Sequence, residues 1–495
     1  MRWTMEQVAG GMGVPLPAGL DPLARVAGVS IDSRSVRPGE LFVAIRGPRH
    51  DGHTFVESVL ANAVSAAVVA RDSVAAYPEA IRGRLFPVED TLRALQQLAS
   101  SVLRKWREAA PGRRVGAVAG SVGKTTTKEI LAALLAARFR VLKSSGNLNN
   151  EYGLPLTLLQ LEDDHEAVVV ELGMSRRGEL ARLTQICAPD VGVVTRVAIE
   201  HLEFFSSLDE VALAERELID NLPRRSDGYG AVSVLNADDE RVAAFADAAP
   251  GPVLWFGGAA KTAFRAENIE DRGIEGTAFD FAWPGGRARL ELPLIGRHNV
   301  MNAVGALAAA SIWGVGAADA KQVFPALQPP DKRGEVVRFD EGFVVINDSY
   351  NSSPTALDAL SDLLANSGNY RRRILAAGEM LELGASSPQF HRDCGRHAAM
   401  TRRIDWIFGV QGDAAEIVKG AIAAGHPSAQ TRFFASSEEA AEFLSDFLTR
   451  GDLLLLKGSR GVKMEKILET LRAKYPAKNA QPAAESPERV RSGRD

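Results

Sequence analysis

Gly116-Ala-Val-Ala-Gly-Ser-Val-Gly-Lys-Thr-Thr-Thr-Lys128 is the stretch that decides the fold of this chain. An apolar run over residues 115–119 stops at Gly120, and Gly123-Lys124-Thr125 opens a segment in which Ile130, Leu131, Leu134 and Leu135 recur at helical spacing. A strand, a glycine loop and a helix start are predicted in that order. Glycines let backbone N–H groups turn inward, a helix N-terminus adds positive potential, and Lys124 brings a mobile cation. Gly120, Ser121, Gly123, Lys124, Thr125 and Thr126 are therefore candidate phosphate-binding residues, with the Thr125 hydroxyl a candidate Mg²⁺ ligand. The strict pattern G-x-x-x-x-G-K-[ST] is broken, because Val118 stands where its first glycine belongs. The shortened loop points away from ordinary kinases and GTPases.

The organisation around this motif is that of several α/β units. A chain of 495 residues is too long for one core, and about three domains are expected. From residue 111 strands (115–119, 167–170, 191–195, 232–235, 253–256) alternate with helices, which implies a mostly parallel, doubly wound sheet. Phe279, Phe281 and Trp283, then Ala288, Leu290 and Leu292, alternate about Pro284-Gly-Gly286 and predict a hairpin. A helix over 299–313 follows. Residues 1–108 form a first unit with strands at 41–45 and 66–69, ending in a helix over 89–109. Pro329-Pro330-Asp-Lys-Arg-Gly334 opens a last, Rossmann-like unit with strands at 343–346, 374–377, 404–408 and 453–456. The expected boundaries are 1–108, 109–328 and 329–474, with 475–495 as a disordered tail rich in Ala, Pro, Lys, Arg and Glu.

Bulk properties exclude several function classes. A net charge of −4 gives no support to bulk nucleic-acid or membrane binding, so an anionic ligand must be held by local donors. Cys187 and Cys394 are the only cysteines, which argues against a disulfide framework or a cysteine zinc site. No apolar run approaches the roughly 20 residues of a membrane span, and the N-terminus lacks a signal-peptide core. A cytoplasmic protein is expected.

Further candidate residues lie on loops after strands. Gly146-Asn-Leu-Asn-Asn-Glu-Tyr-Gly153 holds Asn149 and Asn150, which suit either polar-ligand binding or side-chain-to-backbone turns. Glu171 ends an apolar run, where a carboxylate at the C-terminal edge of a parallel strand faces the ligand crevice and suits Mg²⁺. His201 follows the next strand. Asn299 is either a helix N-cap or a contact to an adenine edge. Asp348, Tyr350 and Asn351 share one strand end, and Lys457 and Arg460 another; each also reads as part of a solvated loop.

In combination these segments resemble the Mur ligases over about residues 24–470. The motifs carrying the resemblance are Asp32-Ser-Arg34 with Asp51-Gly-His53, Gly-Ser-Val-Gly-Lys-Thr-Thr-Thr-Lys, Asn149-Asn-Glu-Tyr-Gly-Leu-Pro-Leu-Thr157, Asp348-Ser-Tyr-Asn351 with Pro354, and Gly378-Glu-Met-Leu-Glu-Leu-Gly384. An Asp-Asn-Pro-Arg motif, expected of the branch that adds a single amino acid to a dipeptide, is absent. The resemblance implies an ATP- and Mg²⁺-dependent ligase that adds D-alanyl-D-alanine to UDP-N-acetylmuramoyl-tripeptide through an acyl phosphate, as a monomer. It further implies that Lys124 and the loop amides hold ATP, that Thr125, Glu171 and His201 hold magnesium, and that Asn299, Arg333, Asp348 and Tyr350 contact the nucleotide. Ser33 and Arg34 would bind the UDP moiety, with Asn149, Asn150, Asn351, Lys457 and Arg460 on the substrates.

One position departs from the family. Where its members commonly carry a carbamylated lysine that helps hold a second Mg²⁺, this chain reads Val211-Ala-Leu-Ala-Glu215-Arg-Glu-Leu218. A glutamate also presents two anionic oxygens, on an arm ~3–4 Å shorter by standard bond lengths. Glu215 is expected either to serve the catalytic metal site directly or through a water, or to be a solvated helix residue. The rival readings are another Mur-type or folylpolyglutamate-type ligase and a non-catalytic nucleotide-binding module with a decayed metal site.

Overall fold

Seven parallel strands carry the centre of the molecule, and the glycine loop leaves from the middle of them. The computed structural model describes residues 3–47, 50–62, 64–199, 203–224, 230–258 and 262–477. After an antiparallel pair, Trp3–Thr4 with Arg25–Val26, the first unit holds an all-parallel sheet in the order β1 (Val29–Ser30), β2 (Leu41–Val43), β3 (Ala66–Ala70) and β4 (Leu85–Val88). Helix α1 (Thr91–Ala109), N-capped by Asp90, carries the chain onward with Leu95, Leu98, Val102 and Trp106 buried. It packs on both the first unit and the second, so it belongs to the cores of two units at once.

The second sheet contains β5 (Arg114–Ala119), β6 (Val141–Lys143), β7 (Ala167–Glu171), β8 (Val191–Val194), β9 (Val232–Asn236), β10 (Val253–Gly257), β11 (Phe264–Asp271), β12 (Thr277–Trp283) and β13 (Gly286–Leu292). Their order across the sheet is β13-β12-β11-β10-β9-β8-β5-β7-β6. Only the β11–β12 and β12–β13 pairs are antiparallel. Strands covered on both faces read as unbroken apolar runs. Val168, Val169 and Val170 are all fully buried, each worth about 1.5–3 kcal/mol against exposure. Helices α2 (Lys124–Ala136), α3 (Glu179–Cys187), α4 (Leu208–Asp220) and α5 (Arg297–Ser311) cover the faces. Because β5 sits between β7 and β8, the loops after these three strands meet at one point of the sheet edge, where open α/β sheets bind ligands.

The last sheet runs β14 (Glu335–Arg338), β15 (Val344–Asp348), β19 (Asp452–Lys457), β16 (Arg372–Gly378), β17 (Trp406–Val410) and β18 (Thr431–Phe434) in spatial order, with only β14 antiparallel. The three-unit α/β architecture is the one expected. Strands β1, β4, β6, β11, β14 and β18 were not anticipated, nor was the helix Met5–Met12. The expected tail needs correction at its start. Tyr475 meets the Phe343 ring edge-on, and Ala477 bridges to Phe339, so residues 475–477 belong to the last unit. Residues 478–495 lie outside the described residues. Among the described residues no helix is long and apolar enough to cross a membrane.

Candidate active site

The strand β5 runs one residue past Val118, which pairs with Val193 and Glu171 on its two sides. Val118 is therefore still strand, and the loop is compressed into residues 120–123. Two glycines permit that compression. Gly120 has φ +119°, and a Cβ there would lie 2.2 Å from Thr195 Oγ1; Gly123 has φ +91°, and a Cβ would lie 2.3 Å from Asn302 Oδ1. No other residue fits either position.

The first half of the loop is tied to the end of β8. Ser121 N–H donates to Arg196 O at 2.7 Å, and Thr195 N–H to Ala119 O at 3.0 Å. Thr195 Oγ1 lies 2.6 Å from Val122 O and 3.2 Å from Ala119 O, the nearer carbonyl taking its single proton. Asn236 in turn donates to Thr195 O at 2.7 Å. Among the described residues the N–H groups of Val122 and Gly123 meet no acceptor, and α2 starts immediately after them. Lys124 Nζ donates to Ser121 O at 2.9 Å, which holds the ammonium over the loop. Thr125 and Thr126 are buried beside it.

Two buried carboxylates flank this loop. Glu171, 3% exposed, ends β7 beside Val118. Its Oε1 accepts from Asn149 Nδ2 at 2.8 Å, whereas Oε2 is buried with no hydrogen-bond partner among the described residues. A buried carboxylate oxygen left bare is costly, and a cation is the usual complement. The second carboxylate is Glu215. It is 2% exposed, and its Oε2 accepts from Gly120 N–H at 2.7 Å. The solvated-helix alternative is thereby excluded: α4 passes close enough for the short glutamate arm to reach the loop itself. Glu217, two residues on, turns elsewhere and caps α3 by accepting from Gly178 N–H at 2.8 and 2.9 Å. His201 lies outside the described residues, among which no three His, Cys, Asp or Glu side chains gather as a metal cage. An ion held here would draw on Thr125, Glu171, phosphate oxygens and water, a donor set that suits Mg²⁺.

The opposite wall comes from α5 and the last unit. Asn299 is not the N-cap of α5, since that position is Gly296. Its side chain is buried, donating to Ile295 O at 2.9 Å and accepting from Asn302 Nδ2 at 2.9 Å. Asn302 thus links Asn299 to the loop glycine. On the last unit the Arg333 guanidinium lies 4.2 Å from the Tyr350 ring centre and that of Arg460 5.8 Å, so one phenol carries two cations. Lys457, expected on the substrates, is paired inside the last unit. It is buried, 2.5 Å from Asp348 Oδ1, and donates to Asn351 O at 2.8 Å. It spends its charge on holding two other candidate residues in place. The 378–384 loop is pinned by Leu381 N–H to Ser459 Oγ at 3.0 Å and Met380 N–H to His391 Nε2 at 2.8 Å. His391 is fully buried, and burial pushes its pKa down. Glu203 N–H donates to Glu382 O at 3.2 Å, so the loop after β8 touches the last unit.

The first unit presents Ser33 and Arg34 on an exposed turn. Arg34 forms a two-pronged pair with Asp32 at 2.9 and 2.7 Å, which lowers the Asp32 pKa to about 2. Asn150 Oδ1 accepts from Tyr152 and Gly153 N–H groups, which leaves only its amide hydrogens for a ligand.

Comparison with known proteins places this geometry in one family. The Mur ligase family catalytic domain matches residues 25–102, the Mur ligase middle domain 118–310, and the Mur ligase glutamate ligase domain 332–460. A UDP-N-acetylmuramoyl-tripeptide–D-alanyl-D-alanine ligase of Bacillus subtilis is 34% identical over 90% of this chain and 93% of its own. The chain belongs to the Mur ligase family. Among solved structures, MurF from Acinetobacter baumannii superposes on this Mur ligase with a TM-score of 0.83 at 28% identity, covering 96% of this chain and 99% of that one. MurF ligase from Thermotoga maritima, in complex with ADP, gives 0.76 at 28% identity over 90% and 97%. Thr195, Asn236 and Asn302 of this Mur ligase were missed as site residues. Only their partners across the sheet and on α5 reveal them.

Proposed function

We propose that this Mur ligase joins the amine of D-alanyl-D-alanine to the C-terminal carboxylate of UDP-N-acetylmuramoyl-tripeptide, consuming ATP through an acyl phosphate and forming the pentapeptide precursor of peptidoglycan. The observation that carries the reading is the meeting of open loop amides and a bare buried Glu171 oxygen at one sheet edge, with the last unit packed against Ile295 just ahead of α5. The names of the relatives match it.

The residues divide the work by position. Val122 and Gly123 amides and the start of α2 receive the phosphates, with Lys124 swinging from Ser121 O to the transferring group. Thr125 and Glu171 would hold Mg²⁺, with His201 a further ligand. Bound there, the ion would neutralise charge on the phosphates and on the attacking carboxylate. Arg333 and Tyr350 close over the nucleotide from the last unit, Asp348 is kept in place by Lys457, and Arg460 addresses the substrates. Asn299 and Asn302 shape the base side. Ser33 and Arg34 address the UDP moiety; Asn149, Asn150 and Asn351 address the substrates. No protein nucleophile is needed, and rate comes from alignment and charge neutralisation.

Glu215 supplies fixed negative charge at the loop position where the family pattern has a lysine, so activity does not depend on CO₂. Depleting and restoring bicarbonate should leave the rate unchanged; a rescue would contradict this role. The function itself is tested by phosphate release from ATP with the UDP-tripeptide, with and without D-alanyl-D-alanine. Release should require both. No release with either the dipeptide or single amino acids would favour a binding module instead.

A further inference from the structure

Lys128 closes the opening motif yet has no task in the reaction above. Its side chain lies fully buried one helical turn after Lys124, where an ammonium costs several kcal/mol unless paired. Nζ lies 2.7 Å from Glu129 Oε1 and donates to Ser144 O at 2.8 Å. Ser144, 1% exposed, is engaged at every polar atom. Its N–H donates to Val169 O at 3.1 Å, and its Oγ accepts from Glu171 N–H at 3.0 Å.

The same turn continues to Asn149. The Asn149 side-chain amide donates to Glu171 Oε1, and the Asn149 main-chain carbonyl accepts from Gly173 N–H at 2.8 Å. Glu171 is thus gripped at its backbone, at the residue two beyond it, and at one carboxylate oxygen, all by residues 144–149. Lys128 anchors the near end of that segment to the helix that begins at the phosphate loop. Only Glu171 Oε2 is left over.

We propose that Lys128 is a positioning residue for the metal site: through Ser144 it fixes Glu171 against the phosphate loop, and so sets the affinity for the divalent cation that accompanies the nucleotide. The inference rests on Glu171 being a metal ligand. Second-sphere partners of metal ligands carry about 10–100-fold in affinity or activity. A lysine buried only for packing would affect stability and leave metal dependence alone.

The test is calorimetric binding of ADP to the full chain with and without Mg²⁺, for K128M, S144A and E171Q. Both K128M and S144A should cut the Mg²⁺-dependent gain in ADP affinity by about tenfold, with metal-free ADP binding unchanged. The double variant should be no worse than the weaker single one, because both act through Glu171. An unchanged Mg²⁺ gain in K128M and S144A, with the gain lost in E171Q, would overturn the relay while leaving Glu171 as ligand. A gain retained in E171Q would remove the metal assignment and the relay with it. S144A deletes one hydroxyl and keeps the test open should K128M fail to fold.

Discussion

The phosphate loop and the facing wall of the last unit build binding sites in opposite ways. At residues 120–125 the donors are backbone N–H groups, presented by a strand-to-helix turn that two glycines allow and β8 clamps. On the last unit the candidate groups are side chains already engaged with one another: Lys457 with Asp348, and Arg333 and Arg460 with Tyr350. A backbone site is rigid and spelled out in one stretch of sequence. A side-chain site drawn from three loops is held by mutual pairing, and its groups must re-pair when a ligand arrives. The difference teaches where damage should appear: chemistry and phosphate binding fail first at the loop, whereas stability fails first at the wall.

The largest effect should come from the loop. Lys124→Met removes the cation that follows the transferring phosphoryl group, and turnover measured by phosphate release should fall about 10³-fold, as for loss of a transition-state donor, with little change in melting temperature. At the wall, Lys457→Met leaves the buried side of Asp348 unpaired. A loss of about 2 kcal/mol in unfolding free energy is expected, below the 3–5 typical of fully buried pairs because Asp348 is 17% exposed. Equal stability losses in the two variants would break the contrast.

Thr195→Val sharpens the comparison within the loop. It deletes one hydrogen bond to Val122 O without touching an open amide, so ATP affinity should fall about tenfold, the equivalent of ~1.4 kcal/mol. The smallest effect is on pH. Burial lowers the His391 pKa below the 6.5 of a free imidazole side chain, and Nε2 accepts from Met380 N–H, so the fold holds the neutral ring. Its stabilisation is complete above pH 6.5 and declines as pH falls from there toward the depressed folded value. Melting temperature should drop over that window, and His391→Gln should shallow the drop.

What could be read in advance follows the same division. The loop, Glu171 and the central parallel strands were legible because motif and unbroken apolar runs are local signals. Strand β6 escaped because Val141–Lys143 has too few residues for a period, and β4 because Pro87 argues against a strand. Strand β11, Phe264–Asp271, carries five polar residues and is secured by pairing on both sides. At the site, Lys457 resembled a free ligand cation; its partner Asp348 lies 109 residues away, beyond any local pattern. Asn299 looked like a cap because Gly296 starts the helix without a side chain. Glu215 stood out only as a departure from a family pattern, and its bond to Gly120 spans 95 residues.

The central claim is that the loop and the wall together move a phosphoryl group onto the tripeptide carboxylate. Labelling both oxygens of that carboxylate with ¹⁸O and analysing the released phosphate by mass spectrometry tests it most directly. One ¹⁸O should appear in each phosphate and one should remain in the new amide. Unlabelled phosphate, with both labels still in the tripeptide, would show ATP hydrolysis without acyl activation and contradict the account.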